Sequence, residues 1–111
     1  MLLLIGFPED EIELLRKSLK DDILAISEEQ SDMVLEDIIK GGEKSYRRFG
    51  EQRIVIMHNV PKEAIGGKIR ELRGIIKEHT IFATTTPVSL KWQLYRLVEE
   101  LLAEDKYFRS K

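Results

Sequence analysis

The chain has 111 residues, 42% of them hydrophobic and 34% charged, with 18 basic against 20 acidic side chains and a formal net charge of −2. Charges so nearly balanced are interleaved over a surface and do not make the single-sign field of a dedicated nucleic-acid or membrane-surface protein. The absence of cysteine excludes disulfides, thiolate catalysis and thiolate-ligated zinc, and no apolar run reaches membrane-spanning length.

Met1–Phe7 is apolar and bounded by Gly6 and Pro8, which fits a buried strand. It lacks a basic n-region and runs straight into Pro8-Glu9-Asp10-Glu11, so it does not read as a secretion signal, and a cytoplasmic protein is expected. The next segment is a helix with Ile12, Leu15 and Leu19 on one face, acidic residues in its first turn, and Lys17 and Lys20 at its end. "DILAIS" is a second strand. Ser31 is expected to cap a helix with Val34, Leu35, Ile38 and Ile39 that stops at Gly41-Gly42. "EKSYRRFGEQ" is a polar connection, and "RIVIMHNV" a third strand. Pro61 opens a helix with Ile65, Ile69, Leu72 and Ile76 on one face. "TIFATTT" is a fourth strand. Ser89 is expected to cap a last helix bearing Leu90, Leu94, Leu97, Val98 and Leu101.

The order βαβαβαβα is that of a parallel sheet with helices on both faces. Strands one and three are apolar on both faces and suit the centre, while the Thr-rich fourth suits an edge. The expected fold is therefore one α/β domain over residues 1–111. It would be a three-layer sandwich around a four-stranded parallel sheet in order 2-1-3-4, flavodoxin-like but truncated. The first and last helices would lie on one face and the middle two on the other. "IGFPEDEI" and "HNVPKEAI" share strand, proline and isoleucine at matching offsets, which suggests an internal βαβα duplication of about 1–50 and 51–111.

In a parallel sheet of this order, ligands bind where the strand order reverses. That rim would carry Gly6, Phe7, His58, Asn59, Thr84, Thr85 and Thr86, with the amides at Ser89 and Leu90 available to an anion. Phosphoacceptor chemistry needs acidic residues at the ends of strands one and three, where Gly6, Phe7, His58 and Asn59 stand instead. The dinucleotide pattern is missing from "GFPEDE", and Gly66-Gly67-Lys68 lacks the rest of a phosphate loop. His58 and His79 fall at opposite edges and make a poor metal pair. Neither a metal nor a cofactor is expected. Lys44, Arg47, Arg48 and Arg53, interleaved with Tyr46 and Phe49, have the composition of a single-strand nucleic-acid site. An ordinary loop with packed aromatics is the simpler reading, and no specific nucleic-acid binding is expected. Trp92 lies opposite the Leu stripe of the last helix, with Tyr95 and Glu99 beside it. Either Tyr107 and Phe108 cover it or a partner does, so these three are interface candidates for self-association or an unidentified protein.

The segment from Arg53 through "IFATTTPVSLKW" to the Leu-rich helix resembles a prokaryotic family catalogued as domain of unknown function 3783. That family joins a strand and helix to a second strand running into Thr-Pro-x-Asn-x-x-Trp. Thr86, Pro87, Trp92, Leu97 and Leu101 match, and Ser89 stands in place of the family's Asn. The resemblance implies no activity. Two roles are consistent with the sequence. One is a non-enzymatic interaction or regulatory module. The other is a small-ligand or anion-binding protein, or a weak enzyme, that uses the strand-end rim.

Overall fold

The apolar runs form strands β1 (Leu2–Ile5), β2 (Ile23–Ala25), β3 (Arg53–Met57) and β4 (Thr80–Thr84). The segments of 3.6-residue period form helices α1 (Glu9–Ser18), α2 (Leu35–Gly41), α3 (Lys62–Ile75) and α4 (Leu94–Arg109). The computed structural model describes residues 1–109. Short 3-10 turns at Glu28–Gln30 and Ser89–Lys91 precede α2 and α4. The strand order is β2-β1-β3-β4, as expected. The directions are not as expected: β1 pairs parallel with β2 and β3 parallel with β4, but β1 and β3 are antiparallel. The sheet is mixed, and the parallel, flavodoxin-like arrangement is corrected.

The connection from α2 to β3 explains the reversal. A parallel crossover must carry the chain back along the whole strand length, and the seven-residue α2 spans only about 10 Å. The loop after α2 is pinned at the end of the sheet where β1 and β2 finish. The Arg47 N–H donates to Ser27 Oγ at 3.0 Å, and the Glu28 N–H donates to the Arg47 carbonyl at 2.8 Å. Arg48 Nε donates to the Gly6 carbonyl at 2.9 Å, and the Tyr46 hydroxyl donates to the Phe7 carbonyl. The chain therefore re-enters the sheet from that end and runs back beside β1. Gly6 makes this possible. Its φ is +77°, and a Cβ there would lie 2.1 Å from the Gln52 carbonyl oxygen.

Helices α1 and α3 share one face of the sheet, where Ile12, Leu15, Leu19, Leu72 and Ile76 pack on Leu2, Leu4, Val55 and Met57. Helices α2 and α4 share the other, where Leu35, Ile38, Leu94, Leu97 and Val98 pack on Leu3, Ile5, Ile54 and Ile56. This replaces the expected pairing of first with last helix. It results from the antiparallel centre, which turns the second βα unit over relative to the first. Helix α2 starts at Leu35 behind an extended Val34, and not at Ser31. It ends, as expected, at Gly41, with Gly42 at φ +74°. No helix among the described residues is long and apolar enough to cross a membrane.

The halves are related by an approximate twofold axis. Leu3 pairs with Ile56 in the central ladder, and the same operation takes Gly6 to Asn59 and Pro8 to Pro61. Gly6 and Asn59 both have positive φ, +77° and +57°, and both prolines precede the first residue of a helix. Away from the sheet, Val34 and Gln93 form an antiparallel bridge on the same axis. It is held by reciprocal 2.9 Å bonds from the Leu35 N–H to the Trp92 carbonyl and from the Leu94 N–H to the Met33 carbonyl.

Candidate functional site

The antiparallel centre divides the expected rim. Gly6 and Phe7 come after β1 at one end of the sheet, whereas His58, Asn59 and Thr84–Thr86 lie at the other, about 17 Å away along the ladder. Gly6 and Phe7 are buried beneath Tyr46 and Arg48 and are closed to a ligand. Burial pushes the Tyr46 phenol above its ordinary range, which keeps its proton on the oxygen that donates to Phe7.

The other five residues remain neighbours, but most of their polar groups are already engaged. His58 Nδ1 is 3.0 Å from Thr85 Oγ1, and the Thr85 N–H donates to the Met57 carbonyl at 3.1 Å. The Thr86 N–H donates to Ser89 Oγ at 2.9 Å, and the Ser89 N–H donates back to Thr86 Oγ1 at 3.0 Å. The Leu90 N–H donates to the Thr86 carbonyl at 3.0 Å. The two amides expected to bind an anion therefore serve the turn itself. The motif is a reciprocal capping box with Thr86 in the capping position. Ser89 is not the cap of the last helix; α4 starts at Leu94, after an intervening 3-10 turn. The first half repeats the device: Ser27 N–H donates to Gln30 Oε1 at 2.9 Å, and Ser27 Oγ accepts from Glu29 N–H at 3.5 Å. Asn59 is exposed, with its backbone in the left-handed region.

The remaining sequence candidates are dispersed. Trp92 is half-buried against the α2/α4 core, and the Arg96 guanidinium lies 4.2 Å over its ring. The chain tail does not cover it: Tyr107 and Phe108 lie about 20 Å further along α4, edge to face with each other. Tyr95 and Glu99 are exposed on the outer side of α4. His79 is beyond the end of α3, which stops at Ile75. It pairs with Asp105 at 2.8 Å and does not serve a helix dipole. Among the described residues no group of three or more His, Asp or Glu side chains is placed to hold a metal ion. Of the basic loop, Arg48 is spent on Gly6, and Arg53 is in β3. Arg53 makes a bidentate pair with Glu11, at 2.6 and 2.7 Å, which holds its guanidinium above the usual range.

The sheet edges carry a feature that sequence reading reached only in part. β4 ends the sheet. Its parallel register on β3, with the Thr85 N–H on the Met57 carbonyl, aims the backbone groups of Thr80, Phe82 and Thr84 away from β3. Thr80 and Phe82 line a groove of about 310 Å³ between α3 and α4, together with Ile69, Arg73, Leu101, Glu104 and their neighbours. The Arg73 guanidinium lies 5.4 Å from the centre of the Phe82 ring. At the opposite edge one outward amide is taken, beside a pocket of about 390 Å³ lined by Ala25, Glu43, Arg16 and Tyr46. Glu43 Oε1 accepts from the Ala25 N–H at 3.1 Å and pairs with Arg16 of α1. The Thr-rich alternation placed β4 at an edge. Nothing in the spacing showed that Glu43 would take the outward Ala25 N–H of β2.

A family model described as a domain of unknown function (DUF3783) matches residues 53–108. That span starts at the first residue of β3 and takes in every element of the second half. No curated protein and no solved structure matches the chain.

Proposed function

The chain belongs to the DUF3783 family, and from that premise we propose that it is a small non-enzymatic interaction module, built from two copies of one βαβα unit, that takes hold of a partner protein through the open edge of β4. The observation that carries this reading is the contrast between the two edges. One is three residues long and has its outward Ala25 N–H taken by Glu43; the other is five residues long and leaves the outward backbone groups of Thr80 and Phe82 in a groove. An unpaired strand edge is a template for an added strand, whose main-chain bonds supply affinity. The duplication is supported by the twofold pairing of Leu3 with Ile56, by the bridge of Val34 with Gln93, and by the repeated capping boxes. A cytoplasmic setting is part of the same proposal.

The test is selection from a displayed library of random peptides, with binders mapped by backbone amide chemical shifts. Binders should move Thr80, Phe82 and Thr84 and be lost in Thr84→Pro, which removes an outward N–H without touching the β3 ladder. Binders that move His58 and Asn59, and survive Thr84→Pro, would instead support a ligand rim at the other end of the sheet.

A further inference from the structure

From the walls of the β4 groove we infer that its occupant is an extended peptide segment of a partner protein in which acidic and basic side chains alternate. Acidic side chains would face α3 and basic ones α4. This rests on the edge-docking reading and adds the chemistry of the partner. A strand added to β4 directs successive side chains to opposite faces of the sheet. On the α3 side they meet Ile69 and Arg73; on the α4 side they meet Leu101, Glu104 and Asp105. Asp105 is engaged by His79 and Arg109. Arg73 and Glu104 are exposed, and among the described residues neither has an ion-pair partner. The groove therefore offers one unpaired charge of each sign on opposite walls.

The molecule already contains a precedent for the acidic half of this pattern. At the β2 edge a carboxylate, Glu43, occupies an outward strand amide and pairs with an arginine, Arg16, on α1. α1 and α3 belong to the same helix layer, and Arg73 of α3 stands over Phe82 on the corresponding side of β4. The twofold relation takes Ala25 to Thr84 and Arg16 to Ile69, one turn before Arg73, so a carboxylate on the α3 side of β4 would meet its arginine one helical turn further along. A second copy of this chain is the less suitable occupant. Antiparallel β4–β4 pairing about an axis perpendicular to the sheet sets α3 beside α3 and α4 beside α4, bringing like charges together.

The experiment uses the full chain and two blocked octapeptides of one composition. One alternates Glu and Lys; the other has all its Glu before its Lys. Affinities are measured by calorimetry and sites by amide shifts. The alternating peptide should bind at β4 and lose about tenfold in affinity in Arg73→Glu or in Glu104→Lys. It should recover in the double variant, where a shift of one residue restores both pairs; circular dichroism confirms that each variant folds. Equal binding of the two peptides at β4, or binding indifferent to both charge reversals, overturns the alternation while leaving edge docking intact. No peptide at β4, or binding untouched by both Thr84→Pro and Thr80→Pro, overturns edge docking itself. Concentration-dependent dimerisation of the chain that is lost in Thr84→Pro would overturn the peptide in favour of a second copy.

Discussion

In the first half of the molecule, the segment after the short α2 folds back over the ends of β1 and β2, ties down Gly6, Phe7 and Ser27, and takes the outward Ala25 N–H of β2 with Glu43. In the second half the last helix, α4, continues to Arg109, and its later turns border a groove beside a strand edge that no side chain among the described residues hydrogen-bonds. The two halves thus end differently. The central strands pair symmetrically, but the outer strand is three residues in one half and five in the other, and the first helix ten residues against fourteen. A further difference lies in the chain beyond the capped turn, a short helix and a folded-back loop in one half and a long helix in the other. This separates positions that hold the structure together from positions left over for contact, and substitutions at equivalent sites can test the separation.

The largest contrast is expected at the paired left-handed residues. Gly6→Ala adds a Cβ against the Gln52 carbonyl oxygen at a φ of +77°, and should cost about 3 kcal/mol or more. Asn59→Gly, at a φ of +57° on the surface, should change stability by less than about 1 kcal/mol in either direction. Thermal melts of the two variants decide. Equal shifts would mean that the loop over β1 is not the anchor described.

A smaller contrast is expected at the two capping boxes. Ser27 is fully buried, and its hydroxyl also accepts the Arg47 amide, so Ser27→Ala leaves a part-buried N–H without its partner and should cost about 2 kcal/mol. Thr86 is exposed, water can replace its hydroxyl, and Thr86→Ala should cost about 1 kcal/mol. Chemical denaturation that ranks them the other way round would show that the first-half loop does not depend on Ser27.

The smallest effect is one of pH. Tyr46 has a folded-state pKa raised from its ordinary value of 10.0, burial being the first cause. Between the unfolded and folded values the native state binds the proton more tightly, so the contribution is complete below pH 10.0 and is lost as pH rises through the folded pKa. Tyr46→Phe should flatten that alkaline loss while lowering neutral-pH stability by about 1 kcal/mol. An unchanged alkaline profile would remove Tyr46 as the lock on Phe7.

Much of this was legible in the sequence and some was not, for identifiable reasons. The continuous apolar runs of β1 and β3 fixed them as central, and threonine at alternate positions put β4 at an edge. Periodicity says which residues face a core; it carries no sign for strand direction. Direction was decided by Arg47, Arg48 and Tyr46, which read as a polar connection because their partners are backbone groups of Gly6, Phe7 and Glu28, far away in sequence. With the direction reversed, a rim that was sound for a parallel sheet came apart. The charges of the β4 groove were likewise out of reach, because Arg73 and Glu104 lie on different helices and meet only across the strand between them.

The antiparallel centre also has a kinetic consequence. The β1–β2 and β3–β4 pairs each join strands separated by one helix, so each half can close its own pair over a short loop. The Leu3–Ile56 ladder and the reciprocal bonds of Leu35 and Leu94 link residues from opposite halves of the sequence. These contacts span more of the sequence than either parallel pair and require the costlier loop closure. The slow step of folding should therefore be the docking of two partly formed halves across the twofold axis. Truncations in this seam, such as Ile56→Val, should slow folding more than they speed unfolding.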